Sequence, residues 1–282
     1  MPRLVSVSSA PIACLGNREY YDLLGTIDVM KRIVSESLVD GFELQVQPEW
    51  DSIQPPLTDT HFADWTKTPK YSAEEILDLL KPERLPILSV HGSRDIGSYL
   101  CSNKKEDFER GKQVTCDTLF VASKLNAGIC VFHLWDTRAT SFSLDRIKEA
   151  LHEVSIRFPS VKASVENIPT SLKGYTPFAL VKEFDYVTLD LRWAAMYDEF
   201  DAFQSIVHKL VNIHLRGTLS GKRWVMNRSS FSLYEALGKI KDMWGYNGLV
   251  TLEREGTLSS ADFNSFAEAM TDLRKMVRSE VC

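Results

Sequence analysis

Val161-Lys-Ala-Ser-Val-Glu166 and Tyr186-Val-Thr-Leu-Asp190 are short β-rich runs, each closing on a carboxylate. The same grammar recurs on both sides of them. Leu4–Ser8, Gly41–Val46, Pro86–His91 and Gly128–His133 precede, and Val211–His214 and Gly248–Glu253 follow. Runs bounded by Gly and Pro that alternate with helical patterns indicate βα units and a parallel sheet.

The segments between the runs read as helices. Ser143 precedes Leu144, Ile147, Leu151 and Val154, one apolar stripe at helical spacing. Ser72-Ala-Glu-Glu75 and Ser232-Leu-Tyr-Glu235 fit the capping-box pattern. Lys104 to Leu125 and Ser260 to Val277 are longer helices by the same reading. Gln47 to Tyr71 holds Pro and Trp without a period, and is expected to be a long loop after the second strand, either a lid or a surface excursion.

Eight strand–helix units over this chain average roughly 35 residues each, which suits a closed (β/α)8 barrel of about 250 residues. The competing open, doubly wound sheet announces itself with a Gly-rich turn after its first strand. Here Ser8-Ser-Ala-Pro-Ile12 follows the first strand, and no GxGxxG or P-loop occurs. The expectation is a single α/β TIM barrel domain spanning 1–282, with no linker dividing it.

Composition narrows the partners. Lys plus Arg total 33 against 38 for Asp plus Glu, a formal charge of −5, which argues against broad phosphate neutralisation and hence against nucleic acid. No apolar run approaches the roughly 18 residues of a spanning helix, so no membrane association is expected. Met1 to Ala13 lacks a proper apolar core and is a poor signal peptide. Five scattered cysteines without a CxxC pair point to a reduced, cytoplasmic setting. Among them Cys101 lies near Arg94 and Lys104, but spacing places no His partner for it, so it reads as inert. Exposed apolar faces on the outer helices would suit a homo-oligomer.

In a barrel of this kind the active site lies where the strands end. Glu43 lies within the second run; His91, His133, Glu166, Asp190, His214 and Glu253 end the third to eighth. One such residue is ordinary, whereas seven consecutive strands carrying a carboxylate or imidazole converge on one mouth. Burying unpaired carboxylates there costs on the order of several kcal/mol each unless a cation compensates. Clustering them adds repulsion, and a bound divalent metal would relieve both. Parity places Glu253 with Thr251, His214 with Arg216, and Asp190 with Arg192 on common faces.

The ordered motifs resemble the xylose-isomerase-like TIM barrels: sugar isomerases and epimerases, inosose dehydratases and endonuclease IV relatives. They are Gly41-Phe-Glu-Leu44, Ser89-Val-His-Gly92, Val131-Phe-His133, Ser164-Val-Glu-Asn167, Thr188-Leu-Asp190, Ile213-His-Leu-Arg216 and Gly245-Tyr-Asn-Gly-Leu-Val-Thr-Leu-Glu253. The resemblance implies one divalent ion held by Glu166, Asp190, His214 and Glu253. This oxygen-rich set suits Mn²⁺, Mg²⁺ or Co²⁺, with Zn²⁺ also admissible. It further implies isomerase or epimerase chemistry on a sugar, sugar phosphate or sugar acid: proton transfer through an enediolate, with Glu166 and Glu253 as the acid–base pair. His91, His133 and Glu43 would contact the carbohydrate substrate. Related outcomes are an inosose-type dehydratase, a metal-dependent phosphodiesterase or AP endonuclease, and a catalytically silent ligand-binding barrel.

The sequence departs from that pattern in two places. Trp193 stands where many members carry a His three residues after the strand-six Asp; an indole can pack on a sugar face or close the pocket, but cannot ligate a metal. Gly217 to Ser232 contains no Asp or His, so the further ligands of the three-zinc phosphodiesterases have no counterpart. Its stretch Lys222-Arg-Trp-Val-Met-Asn-Arg228 is read as a basic rim loop. Arg94, Arg138, Arg192 and Arg216 follow pocket residues, where guanidinium groups either balance the carboxylates or recognise an anionic substrate. Arg216 is the foremost candidate for such recognition.

Overall fold

The computed structural model describes residues 3–18, 22–46, 71–226, 232–256 and 258–278. The expected lid lies outside the described residues except for Tyr71. Seven strands, β1 (Leu4–Ser8), β2 (Gly41–Gln45), β3 (Ile87–His91), β4 (Ile129–Phe132), β5 (Lys162–Glu166), β6 (Val187–Asp190) and β7 (Leu210–Ser220), run in parallel. A short antiparallel arm, β8 (Arg223–Val225), then folds back on β7, and β9 (Leu249–Arg254) completes the sheet. Because β9 pairs with both β7 and β1, and β6 pairs with β7, the eight parallel strands close on themselves. The result is a (β/α)8 barrel.

Helices α1 (Leu23–Ser35), α2 (Ala73–Leu80), α3 (Asp95–Cys101), α4 (Lys105–Lys124), α5 (Leu144–Ser155), α6 (Pro177–Val181), α7 (Leu191–Met196), α8 (Leu233–Asp242) and α9 (Phe263–Arg278) lie between and after the strands. Their starts follow the sequence signals. Ser72 accepts the Glu75 amide while its own amide donates to the Glu75 carboxylate, a full capping box on α2. Ser143 and Ser232 cap α5 and α8 by accepting the amides of Arg146 and Glu235. Along α5, Ile147, Leu151 and Val154 are buried with Ala150, as the helical stripe requires.

Two layers of side chains result from strand parity. Residues such as Val5, Phe42, Val90, Val165, Leu189, Ile213 and Leu252 are buried in the apolar core. Along the strands they alternate with Ser6, Ser89, Ser164, Thr188, Asn212 and Thr251, which are fully buried and polar. These polar groups pair across neighbouring strands. The hydroxyls of Ser6 and Thr251 are 2.8 Å apart, those of Ser164 and Thr188 2.7 Å, and Thr251 donates to Asn212 Oδ1 at 2.9 Å. The pairing removes most of the penalty for burying hydroxyls. At the N-terminal end of the barrel, Asp40 accepts the Val5 amide at 2.8 Å and pairs with Arg274 of α9 at 2.8 Å.

As far as Met226, the segment read as a basic rim loop is ordered differently; Asn227 and Arg228 lie outside the described residues. Residues Thr218 to Ser220 pair with Val225 to Arg223 in antiparallel register, turning at Gly221 with φ +61°. The physical reason is Trp224, which is 2% exposed and packs edge-on against Phe266 of α9, ring centroids 5.9 Å apart. Burial of one indole turns a would-be loop into a β-arm clamped to the last helix. Replacing Trp224 with Ala should cost about 3–5 kcal/mol, as expected for truncating a large buried aromatic. Urea unfolding would show a lower midpoint at unchanged slope; an unaltered midpoint would mean that the arm is not clamped by this side chain.

Candidate metal centre

The C-terminal ends of six strands deliver ionisable side chains to one place. Glu166 ends β5, Asp190 ends β6, His214 lies within β7 and Glu253 is the penultimate residue of β9. All four are buried, and each offers one donor atom such that the atoms lie within 4.8 Å of one another. His91 ends β3, and His133 follows β4 by one residue. The structure therefore brings together every expected ligand, with both expected histidines beside them.

Local structure fixes each ligand. Asp190 is the last residue of β6 and the N-cap of α7: its Oδ1 accepts the amides of Arg192 and Trp193 at 2.8 and 3.1 Å. Its backbone is held by Asn167, whose side chain accepts the Asp190 amide at 2.6 Å and donates to its carbonyl at 3.1 Å. Oδ2 is thus the oxygen left facing the cluster, where it accepts from Arg216 Nε at 2.7 Å. His214 is held from below by Glu43. The Nε2 of His214 lies 3.1 Å from Glu43 Oε2, an acceptor shared with Ser89 at 2.9 Å and Asn212 at 3.1 Å. An ionised carboxylate can only accept, so Nε2 carries a proton and Nδ1 faces the cluster. Glu43 itself is fully buried beneath the mouth, two residues deeper along β2 than Gln45, the register partner of His91.

His91 and His133 both turn onto Glu166, with Nε2 atoms 3.2 and 3.1 Å from its Oε2. The Nδ1 of His91 lies 2.9 Å from the Gly92 carbonyl, so both ring nitrogens face acceptors and the ring is held as a cation. Loop position assists here: Gly97 of α3 packs directly on the Trp135 backbone, where a Cβ would lie 2.4 Å from the Trp135 carbonyl oxygen. Trp135 in turn donates to the Pro169 carbonyl at 2.9 Å, tying the segments after β4 and β5 together.

Burial and charge act against each other throughout the cluster. Burial pulls the His91 pKa down, but the Glu166 hydrogen bond and the charges of Glu43, Glu166 and Glu253 outweigh it and raise it to about 9. His214 is likewise raised, against its burial, by the charges of Glu43, Glu253 and Glu166. His133 goes the other way, because burial outweighs the pull of Glu166. Desolvation works to raise Glu43 and Glu166, yet their imidazole partners hold both carboxyls below the usual range. Asp190 is pushed up to about 6, because burial exceeds the stabilisation it receives from Arg216.

Arg216 is the cation common to the carboxylates. It shares the inward face of β7 with His214 and reaches Asp190, Glu253 and Glu166, the last at 3.5 Å. The side chain is 21% exposed, whereas Glu166 and Asp190 are fully covered, so the guanidinium lies on the solvent side of the cluster. Trp193, in the first turn of α7, is stacked beside it with the guanidinium carbon 5.4 Å from the ring centroid. The other arginines are placed differently. Arg192 pairs with Glu255 and also lies over Trp193, and Arg94 and Arg138 are exposed. The Cys101 thiol is pushed up to about 11, mainly by burial, which leaves it protonated and inert.

Sequence reasoning missed the supporting residues: Ser89, Asn212 and Asn167, which orient Glu43 and Asp190, and Glu255, which occupies Arg192. Asn212 and Ser89 do share strand parity with His214 and His91, which was the available signal.

The fit of the residues to a divalent ion rests on the atoms themselves. Glu166 Oε1, Glu253 Oε2 and His214 Nδ1 are buried and lie in ion-pair range of neighbours, but none makes a hydrogen bond of proper geometry. Three under-satisfied donors converging from three strands, joined by Asp190 Oδ2, form a hard, mostly oxygen set that suits an ion of this kind.

Solved structures with the same architecture include sugar epimerases. The chain shares their (β/α)8 barrel fold. D-allulose 3-epimerase from Methylomonas sp. in complex with D-allulose aligns over 99% of this chain and 98% of its own, at 10% identity and TM-score 0.65. D-psicose 3-epimerase from Clostridium cellulolyticum H10 with D-tagatose aligns over 98% and 100%, at 15% identity and TM-score 0.63. The 3-keto-D-glucoside 4-epimerase of E. coli aligns over 96% and 99%, at 12% identity and TM-score 0.61. No protein-family model matches the chain, and no curated protein matches it. At these identities the likeness is one of fold. Among the described residues, no helix is long and apolar enough to cross a membrane.

A pH dependence follows for chelator-treated protein. The folded pKa of His91, about 9, exceeds its ordinary value of 6.5. The stabilisation from its charged form is therefore complete below about pH 6.5 and lost as pH rises through about 9. The thermal midpoint of the metal-free wild type should exceed that of His91→Gln most at pH 6, and the gap should narrow by pH 9.5. A gap independent of pH would show that His91 is not held as a cation.

Proposed function

We propose that this chain is a divalent-metal-dependent isomerase or epimerase of a sugar or sugar-derived acid, working by proton transfer at a carbon next to a carbonyl. The observation that carries this reading is the Glu166–Asp190–His214–Glu253 group: four donors converging at the C-terminal face of a barrel. Sugar epimerases sharing the fold lend support.

Glu166, Asp190, His214 and Glu253 would hold the ion. When bound, it would supply a positive charge that stabilises the oxyanion developing on the substrate's carbonyl carbon unit. Glu43 acts as a positioning residue, fixing the ring of His214 through its Nε2–H. Asn167 does the same for Asp190 through its backbone. Glu166 and Glu253 are the acid–base pair, one removing the proton and the other returning it to the opposite face or the neighbouring carbon. His91 and His133 hold Glu166 Oε2 and so fix the orientation of its carboxylate. Turning either ring onto a substrate hydroxyl exchanges one acceptor for another. Trp193 supplies an apolar wall at the mouth, suited to the C–H face of a sugar ring.

The test has two parts. Elemental mass spectrometry of purified protein should find about one Mn, Co, Mg or Zn per chain, lost in Glu253→Ala. Ketoses and their phosphates incubated in D₂O should exchange the proton α to the carbonyl with wild type. Exchange should fall by at least about 10²-fold in Glu166→Gln, the scale of a lost general base. Two or three zinc ions per chain would favour a phosphodiesterase instead. Absence of metal after reconstitution would remove the reading.

A further inference from the structure

A +1 guanidinium sits against the same carboxylates that would bind a +2 ion. Arg216 Nε is 2.7 Å from Asp190 Oδ2, the one oxygen of that carboxylate not committed to the α7 amides. Its Nη2 contacts Glu253 Oε2 and lies 3.5 Å from Glu166 Oε1. Those oxygens of Glu166 and Glu253 are also the under-satisfied ones. One side chain therefore engages, on three of the four proposed ligands, the very atoms that an ion would take. Held only a few ångströms apart, a guanidinium and a divalent ion repel strongly in so buried a place.

Among the described residues, the polar contacts of the guanidinium are all to these carboxylates. It enters from the open side, with the side chain 21% exposed, and beside it is the face of Trp193, 5.4 Å away. An aromatic face is a place where a cation can rest when it leaves a carboxylate. Arginine remains charged at any working pH, so it cannot yield to an ion by losing a proton, as a lysine or histidine can. It can yield only by moving.

We propose that Arg216 is a built-in competitor for the metal: guanidinium and divalent ion are alternative occupants of the Glu166–Asp190–Glu253 carboxylates, and the ion binds only as the side chain swings out towards Trp193. The inference rests on the metal-site reading above. It adds that this chain holds its ion more weakly than the ligand set alone would, and that its carboxylates stay folded and neutralised without metal.

Mn²⁺ titration of chelator-stripped protein by calorimetry tests this, comparing wild type with Arg216→Met. The variant should bind Mn²⁺ at least tenfold more tightly, while its metal-free form melts at a lower temperature than metal-free wild type. Millimolar guanidinium chloride should weaken Mn²⁺ binding in the variant, where the ion can re-enter the Arg216 position, and leave wild type nearly unaffected. A merely structural arginine would give neither effect. Should Arg216→Met not fold, Arg216→Gln, neutral but still able to donate, makes the same comparison. Equal or weaker Mn²⁺ binding in the neutral variant overturns the competition and leaves the metal site standing. Binding in the variant alone supports the competition in its strongest form. No binding in either protein overturns the metal reading and the competition together.

Discussion

The arrangement of this protein hangs on one electrostatic problem: carboxylates gathered at the end of a barrel, out of reach of water. Isolated, such groups would protonate or unfold the site. Here each is answered by a named cation or donor. Glu43 has His214, Ser89 and Asn212, and Glu166 has three imidazoles within 3.3 Å. Asp190 has two amides and a guanidinium. The local geometry around the mouth, including the start of α7 and the facing of His91 and His133, follows from satisfying these groups.

The same logic extends down the barrel. Its interior is not filled mainly with the bulky branched side chains common in this architecture. Seryl and threonyl hydroxyls pair strand to strand and connect through Thr251 and Asn212 to Glu43. A buried ionised residue becomes tolerable because its surroundings are already polar and already paired. Stability comes instead from the outer apolar layer between strands and helices, which includes the fully buried Phe42, Phe132, Phe203 and Phe266.

Much of this was legible in the sequence because it is local. Strand runs such as Lys162-Ala-Ser-Val-Glu166 carry their parity with them, and a residue that ends a parallel strand in a barrel can only face the mouth. Hence Glu166, Asp190, His214 and Glu253 lie together at one end of the barrel, and Ser72, Ser143 and Ser232 marked helix starts by chemistry that spans four residues. What was not legible depends on contacts between distant segments. Whether Trp224 sits in a loop or a clamp is decided by Phe266, more than forty positions on. Whether Arg216 faces solvent or three carboxylates depends on the stagger of β5, β6 and β9, which spacing does not encode. Glu43 read as a residue of the mouth, because strand parity gives its face but not its depth.

Asp190 serves as strand end, helix cap and cluster member at once. No linker separates β6 from α7, so there is no slack between the charged floor of the mouth and its aromatic wall. Any movement of the carboxylate is a movement of the amides of Arg192 and Trp193, and so of the indole three bonds further on. The charge held by the floor and the outline of the opening above it therefore behave as a single mechanical part. Changes that alter one will reshape the other, and the two properties cannot drift apart independently as this chain diversifies.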